Sequence, residues 1–510
     1  MRGRPGTHAQ TTNCDPTTDC SGSRPPDEQS RLFSNYLKFY IDGTWVDPVN
    51  PRKLDVINPA TEDVAGQVSL GGPTDLNRAV VAAKAAFPAY AKTNKAERIE
   101  LLETLIQVYR RHEAEIAASV TAEMGAPLAF ARSFHAVAPV ETLLQAIATL
   151  KAYDFEETKG TTTIVREPIG VCGLITPWNE PIGAIVWKAA PALAAGCTVV
   201  VKPSELAPLS AILWAEVIHE AGVPRGIFNL VNGEGSVVGH ALAAHPDVAM
   251  VAFTGSTRSG ILVAQTAADT VKRVQQELGG KSANIVLPDV DLESVVAAGV
   301  RRCFKGGGQS CQAPTRMLVH RAQQQRAHAI AQAAAEGFKV GDPLNPETDM
   351  GPVANKAQYE KIQRLIATGI EEGGLLVTGG LGRPPGLTRG FFVRPTVFGN
   401  VDPNSTIAKE EVFGPVLSII PYDTEEEAIS IANDTCFGLA GWVYSGSLER
   451  ARRVAMELRT GRVYLNGAPD DPVAPFGGYK QSGNGREGGT HGLEGYLETK
   501  ALLGSLPRKT

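Results

Sequence analysis

The feature that most constrains this chain is a regular beat between residues 163 and 267. Thr163–Ile175 reads as β-structure, and helix Ile182–Ala194 then leads into strand Thr198–Val201. Helix Leu209–Ala221 runs into Gly222-Val223-Pro224, followed by strand Gly226–Val231, helix Ser236–Ala244, strand Val248–Phe253 and helix Ser259–Ala267. Short apolar runs that alternate with helical stretches predict βαβ units and a parallel sheet, which makes the fold class α/β. Ligands in such sheets bind beyond the carboxyl ends of the strands. A second stretch, from about Ala283 to Leu465, repeats the alternation. Upstream, Asp75–Tyr90 and Lys95–Met124 predict helices, with Gly125 as the stop of the second. The chain has 510 residues, 43% of them hydrophobic, which is enough for two or three domains with cores of their own.

Charge and cysteine usage exclude several classes. A formal net charge of −5 gives no basic surface, so no nucleic-acid and no membrane partner is expected. The longest apolar stretch, Ile182–Val201, is interrupted by Lys188, Pro191 and Gly196, and reads as a buried helix followed by a buried strand. The seven cysteines (Cys14, Cys20, Cys172, Cys197, Cys303, Cys311, Cys436) are odd in number and widely spaced, with no CxxC or His/Cys cluster. No metal site is expected, and a reducing, cytoplasmic setting is the simplest reading. Cys172 and Cys197 lie in apolar runs and read as packing residues. Residues 1–30 have no apolar core of a secretory signal and carry Asp15, Asp19, Asp27 and Glu28, so they read as a disordered tail or an over-called start.

The chemistry starts at Cys311, in Gly307-Gly308-Gln309-Ser310-Cys311-Gln312. Glu277, in Gln276-Glu277-Leu278-Gly279-Gly280-Lys281-Ser282, lies 34 positions earlier. A thiolate is a good nucleophile and a separate carboxylate can activate water, so the pair suggests two-step covalent chemistry. Phe253-Thr254-Gly255-Ser256 follows a strand and opens a helix. It can present amides to a phosphate or can be a plain tight turn, and it matches neither GxGxxG nor a P-loop. Lys202 and Glu205, in Val201-Lys202-Pro203-Ser204-Glu205, stand at a strand end, as ligands or as ordinary solvated charges. In Thr176-Pro177-Trp178-Asn179, Asn179 can donate to an oxyanion or serve as a turn residue.

Together with Glu410-Glu411-Val412-Phe413-Gly414-Pro415-Val416 and Pro475-Phe476-Gly477-Gly478-Tyr479-Lys480-Gln481-Ser482-Gly483, these segments resemble the NAD(P)-dependent aldehyde dehydrogenase superfamily over about residues 31–500. The resemblance implies a divergent Rossmann-type cofactor domain (31–150 and 168–280), a second α/β catalytic domain (281–482) and a small β oligomerisation element (151–167 and 483–505). It implies Cys311 as nucleophile, Glu277 as general base of thioester hydrolysis, and Asn179 with the Cys311 amide as oxyanion hole. Glu277 also argues against the acyl-CoA-forming relatives. Thr176, Trp178, Lys202, Ser204, Glu205, Gly255, Ser256, Glu411 and Phe413 would hold the cofactor. Glu205 favours NAD, because a 2′-phosphate would meet like charge. Glu180, Trp187, Ser310, Gln312 and Phe476 would face the aldehyde, and the assembly would be a homodimer or homotetramer.

Glu180 departs from the family, which often has an aromatic or apolar residue there. It can select a cationic or hydrogen-bonding aldehyde, or turn to solvent or pair with an arginine. It argues against a simple long-chain aliphatic substrate, and the small or polar Ser310 and Gln312 lean the same way. Two other classes stay open: a cofactor-free cysteine hydrolase, for which the nine histidines supply no motif, and a non-catalytic homologue, which would be expected to lose Cys311, Glu277 or Asn179.

Overall fold

The computed structural model describes residues 36–506; the tail expected over residues 1–30 lies outside them. The alternation folds as expected, into an eight-stranded sheet. Its five central strands are parallel, in the order Arg273–Glu277, Met250–Thr254, Val171–Ile175, Thr198–Lys202, Phe228–Leu230. Strands Phe39–Ile41 and Thr44–Val46 close one edge antiparallel, and Gly483–Asn484 closes the other. Residues 483 and 484, expected in the oligomerisation element, therefore add to this sheet, because their backbone pairs with Gln276 and Glu277. Residues 151 and 152, also expected in that element, close helix Ala138–Ala152.

A seven-stranded sheet holds the second stretch, in the order Leu375–Thr378, Thr396–Gly399, Val416–Tyr422, Arg316–His320, Ala283–Val286, Ala440–Tyr444, Arg462–Leu465. Only Leu375–Thr378 pairs antiparallel. Its core gathers Ile285, Leu318, Ile420 and Val443, whereas the first sheet packs Leu174, Val199, Val201 and Ile185. A third, antiparallel sheet joins Glu156–Lys159, Thr162–Pro168 and Leu497–Leu502. The single β-run expected over Thr163–Ile175 is thus two strands in two sheets. They are separated at Gly170, whose φ of +136° is open to a residue without a side chain.

Helix Lys95–Met124 begins and ends where the sequence placed it. Asn94 Oδ1 accepts from the Glu97 amide at 3.0 Å, and Glu97 accepts from the Asn94 amide at 2.7 Å, which satisfies two orphan donors reciprocally. The expected helix Ser236–Ala244 is instead a π-helical turn, Gly235–Gly239, continued by the short α-helix His240–Ala244. The buried Cys172 and Cys197 pack as expected.

Candidate active site

Registers within the first sheet bring the motif residues to one edge. Thr254 pairs with Glu277, Phe253 with Ile175, and Ile175 with Lys202. The segments that follow these strands, Thr176–Glu180, Pro203–Glu205 and Gly255–Ser256, therefore leave side by side at the carboxyl edge, with Glu277 among them. This is the edge at which open parallel sheets bind ligands.

Loops from the second sheet close over that edge. The Gly280 amide donates to Glu411 Oε1 at 2.7 Å. A Cβ at Gly280 would run into the Cys311 carbonyl, so the glycine lets the two chain segments touch. Asn179 Nδ2 donates to the Gln309 carbonyl at 3.0 Å, two residues before Cys311, which leaves the amide's second N–H for another acceptor. Ser482 Oγ donates to the Gly279 carbonyl at 2.7 Å, which ties the Pro475–Gly483 segment to the Glu277 loop.

Glu277 is 2% exposed, and neither carboxylate oxygen has a hydrogen-bond partner among the described residues. Burial pushes its carboxyl well above the ordinary range, and the nearby Glu487 adds to this, against Lys188, Arg486 and Arg462. Burial likewise raises the half-buried Cys311 thiol, helped by Glu180, Glu411 and Glu277 and opposed by the Gln312 amide. Burial thus raises the proton affinity of both groups, and perturbed titratable groups of this kind cluster at functional sites.

Two residues here escaped the sequence reading. Lys188, 1% exposed, pairs with the buried Glu487. Glu487 exchanges both backbone hydrogen bonds with Phe476, at 2.8 and 2.7 Å. A lysine inside the apolar helix Pro181–Ala195 carried the signal, since a buried ammonium needs a counter-charge; its partner lies 299 positions away.

The residues expected at the cofactor are gathered at the same edge. Lys202 Nζ pairs with Glu205 Oε2 at 2.8 Å. Burial opposes ionisation of Glu205, but the Lys202 ammonium outweighs it and holds the carboxyl below its usual range. Ser204 is buried, and the Thr176 amide donates to the Lys202 carbonyl at 3.1 Å. Ser256 caps helix Thr257–Ala268 by accepting from the Ser259 amide at 3.2 Å. The Gly255 amide is held by the Glu277 carbonyl at 3.1 Å. Trp178 and Phe413 meet edge to face at 5.4 Å. Phe413 sits at a φ of +57°, a strained conformation that Gln358 supports by donating to the carbonyls of residues 412 and 413 at 3.0 and 2.8 Å.

A cavity of about 210 Å³ adjoins Asn179. Glu180, Trp187, Ser310 and Gln312 line it. Phe476 stands behind Trp187, ring to ring at 5.6 Å. Glu180 pairs with no arginine among the described residues; burial pushes its carboxyl up to about 7, opposed by Lys305 and reinforced by Asp470 and Glu487. No cluster of metal-ligating groups occurs among the described residues.

The site gathers a thiol, an unpaired buried carboxyl and an amide donor at the carboxyl edge of a parallel α/β sheet, where such folds bind their ligands. Comparison with known proteins makes the class specific. The aldehyde dehydrogenase family profile matches residues 45–502, and the chain belongs to that family of oxidoreductases. It is 55% identical over 471 residues to 3-succinoylsemialdehyde-pyridine dehydrogenase from a Pseudomonas species, covering 92% of this chain and 99% of the relative. A mutant of aldehyde dehydrogenase C from Pseudomonas syringae, solved with NAD+ and octanal, superposes with a TM-score of 0.93 at 51% identity, over 94% of this chain and 98% of that one. A Mycobacterium tuberculosis aldehyde dehydrogenase complexed with NAD+ gives 0.90 at 39% identity, over 93% and 99%. These matches set aside the hydrolase and the non-catalytic homologue.

Proposed function

We propose that the protein oxidises an aldehyde to a carboxylic acid with NAD, through an acyl group carried on Cys311. The observation that carries this is Glu277, buried and unpaired at the sheet edge, next to the loop that brings Cys311 against Gly280 and Gln309 against Asn179.

The cofactor-facing residues fit a dinucleotide. Lys202 and Glu205 form an oriented pair at a strand end, Ser256 opens a helix at the same edge, and Glu411 is fixed by the Gly280 amide. Glu205 would accept from ribose hydroxyls, and its charge would repel a 2′-phosphate. NAD, when bound there, supplies the hydride acceptor. The protein's own groups do the rest. Cys311 gives its thiol proton to water, and the thiolate Sγ adds to the aldehyde carbonyl carbon as the C=O π pair moves onto oxygen. The second N–H of Asn179 and the Cys311 amide face the oxyanion. Loss of hydride leaves a thioester on Cys311. Glu277 then takes a proton from water, and the hydroxide releases the acid. Glu487 and Lys188, behind Glu277, tune its proton affinity.

The two named relatives point to different aldehydes. One is named for a pyridine-bearing semialdehyde, and the other was solved with octanal. A panel holding both types, followed by NADH absorbance with NAD and with NADP, tests the reading; no turnover of any aldehyde with either cofactor overturns it.

The domain assignment expected from the sequence, with 483 and 484 moved to the cofactor sheet and 151 and 152 to helix Ala138–Ala152, is the reading the three sheets support. The third sheet fits an assembly element. Its outer strand Glu156–Lys159 is exposed throughout, and of Leu497–Leu502 only Leu497 is buried, so its edges invite a partner. A homodimer or homotetramer follows, checked by light scattering before and after deletion from Gly495 onward. A reducing, cytoplasmic setting fits the five free cysteines among the described residues.

A further inference from the structure

Resting on the acyl chemistry just proposed for Cys311, this inference concerns what holds the chain segment that carries the thiol. Three consecutive glycines precede that segment, and all three are left-handed: Gly306, Gly307 and Gly308 have φ of +62°, +70° and +68°. Glycine enters this region without steric cost and leaves it as easily, so such a run turns sharply but does not hold its own shape. No side chain fits at Gly308, because a Cβ there would run into the Gly414 carbonyl. The turn therefore meets the Phe413 segment through bare backbone.

The next residue supplies the grip. Gln309 is 5% exposed. Its Nε2 donates to the Gly306 carbonyl at 3.2 Å, across the glycine turn, and its Oε1 accepts from the Ala354 amide at 2.8 Å. Among the described residues it is the one side chain from Lys305 to Ser310 that makes a hydrogen bond. The far anchor is fixed in turn. Ala354 precedes Asn355, whose Oδ1 caps helix Lys356–Glu371 by accepting from the Gln358 amide at 2.9 Å. The main-chain carbonyl of Gln309 is the group that accepts from Asn179 Nδ2 at 3.0 Å. One residue thus joins the glycine turn, a capped helix and the amide that would face the oxyanion. With both side-chain bonds gone, the turn could swing and carry the Gln309 carbonyl with it, and the Asn179 amide would lose its fixed direction. A misplacement of about 1 Å can cost a hundredfold in rate.

We propose that Gln309 is a positioning residue: its side chain locks the glycine turn so that the oxyanion formed on Cys311 meets the Asn179 donor.

Gln309→Met keeps the length of the side chain and removes both of its hydrogen bonds. With the aldehyde that the unmutated enzyme turns over best, it should slow single-turnover NADH formation, which reports acylation of Cys311, by roughly ten- to a hundredfold. NAD binding, followed by fluorescence titration, should stay intact. A double-mutant cycle on the same rate separates positioning from general loosening. Because Gln309 acts through Asn179, Gln309→Met should cost markedly less once Asn179→Ala has been made, whereas independent effects add. Gly307→Ala is a milder probe, since its Cβ would stand 3.3 Å from Gln309 Nε2 on a left-handed backbone. It should give a smaller loss that also shrinks beside Asn179→Ala. Thermal melting identifies a variant that fails to fold, and if Gln309→Met is one, Gly307→Ala decides. An unchanged single-turnover rate in the folded variants, or full additivity with Asn179→Ala, overturns the proposal and leaves the dehydrogenase reading standing. No turnover of any aldehyde by the unmutated enzyme overturns that reading itself.

Discussion

Two regions share the carboxyl edge of the first sheet and treat the same chemical group oppositely. On the side proposed to hold the cofactor, Glu205 is paired with Lys202 and held below its ordinary pKa. On the side proposed for catalysis, Glu277 has no hydrogen bond to either oxygen and is held well above it. Both are carboxylates at the end of a parallel strand. What differs is the company: an ammonium 2.8 Å away in one case, burial and a second carboxylate in the other. A binding group is stabilised in the charged form it uses, whereas a group that must take up a proton is kept in surroundings that make it hold one. The proposed cofactor role of Phe413 would put its strained backbone with the first kind of device, since it fixes a ring and changes no proton affinity.

The comparison can be broken at several places. The largest effect is expected from Cys311→Ala, which should abolish NADH formation while NAD binding, followed by fluorescence titration, stays intact. Substantial residual turnover would remove the thiol from the chemistry. Glu277→Gln should keep a burst of NADH near one per active site and lower steady turnover by roughly two to four orders of magnitude. Loss of the burst as well would move Glu277 to activation of Cys311.

Glu487→Gln probes the surroundings alone. It removes the like charge beside Glu277 and leaves Lys188 uncompensated, and both changes favour the ionised form of Glu277. Because the base form is lost as pH falls through a raised pKa, the acid limb of the kcat profile should move to lower pH. Stability should drop by about 3–5 kcal/mol, the cost of stranding one member of a buried pair, read by denaturant melts. A limb that stays put would show that Glu487 does not tune the base. The smallest effect is expected from Glu205→Gln, which should narrow the preference for NAD over NADP by a few-fold to about tenfold through loss of like-charge repulsion. Equal use of both cofactors by the unmutated enzyme would contradict the role given to Glu205.

Much of this is legible in the sequence. The spacing of apolar runs from Val171 to Ala268 determined the parallel sheet, because strand and helix periods are properties of the local sequence. Gly125 marked the end of the helix Lys95–Met124 for the same reason. Cys311, Glu277 and Asn179 stood out because reactive side chains among glycines are visible one at a time. Properties that depend on distant partners were not legible. Lys188 read as an interruption of an apolar run, and only the fold supplied Glu487 across 299 positions. Thr163–Ile175 read as one strand, and only the packing divided it between two sheets. Whether Glu180 turned to solvent or to the cavity was settled by burial. Burial and proton affinity are sums over neighbours that the chain brings together only by folding, so tertiary structure alone decided them.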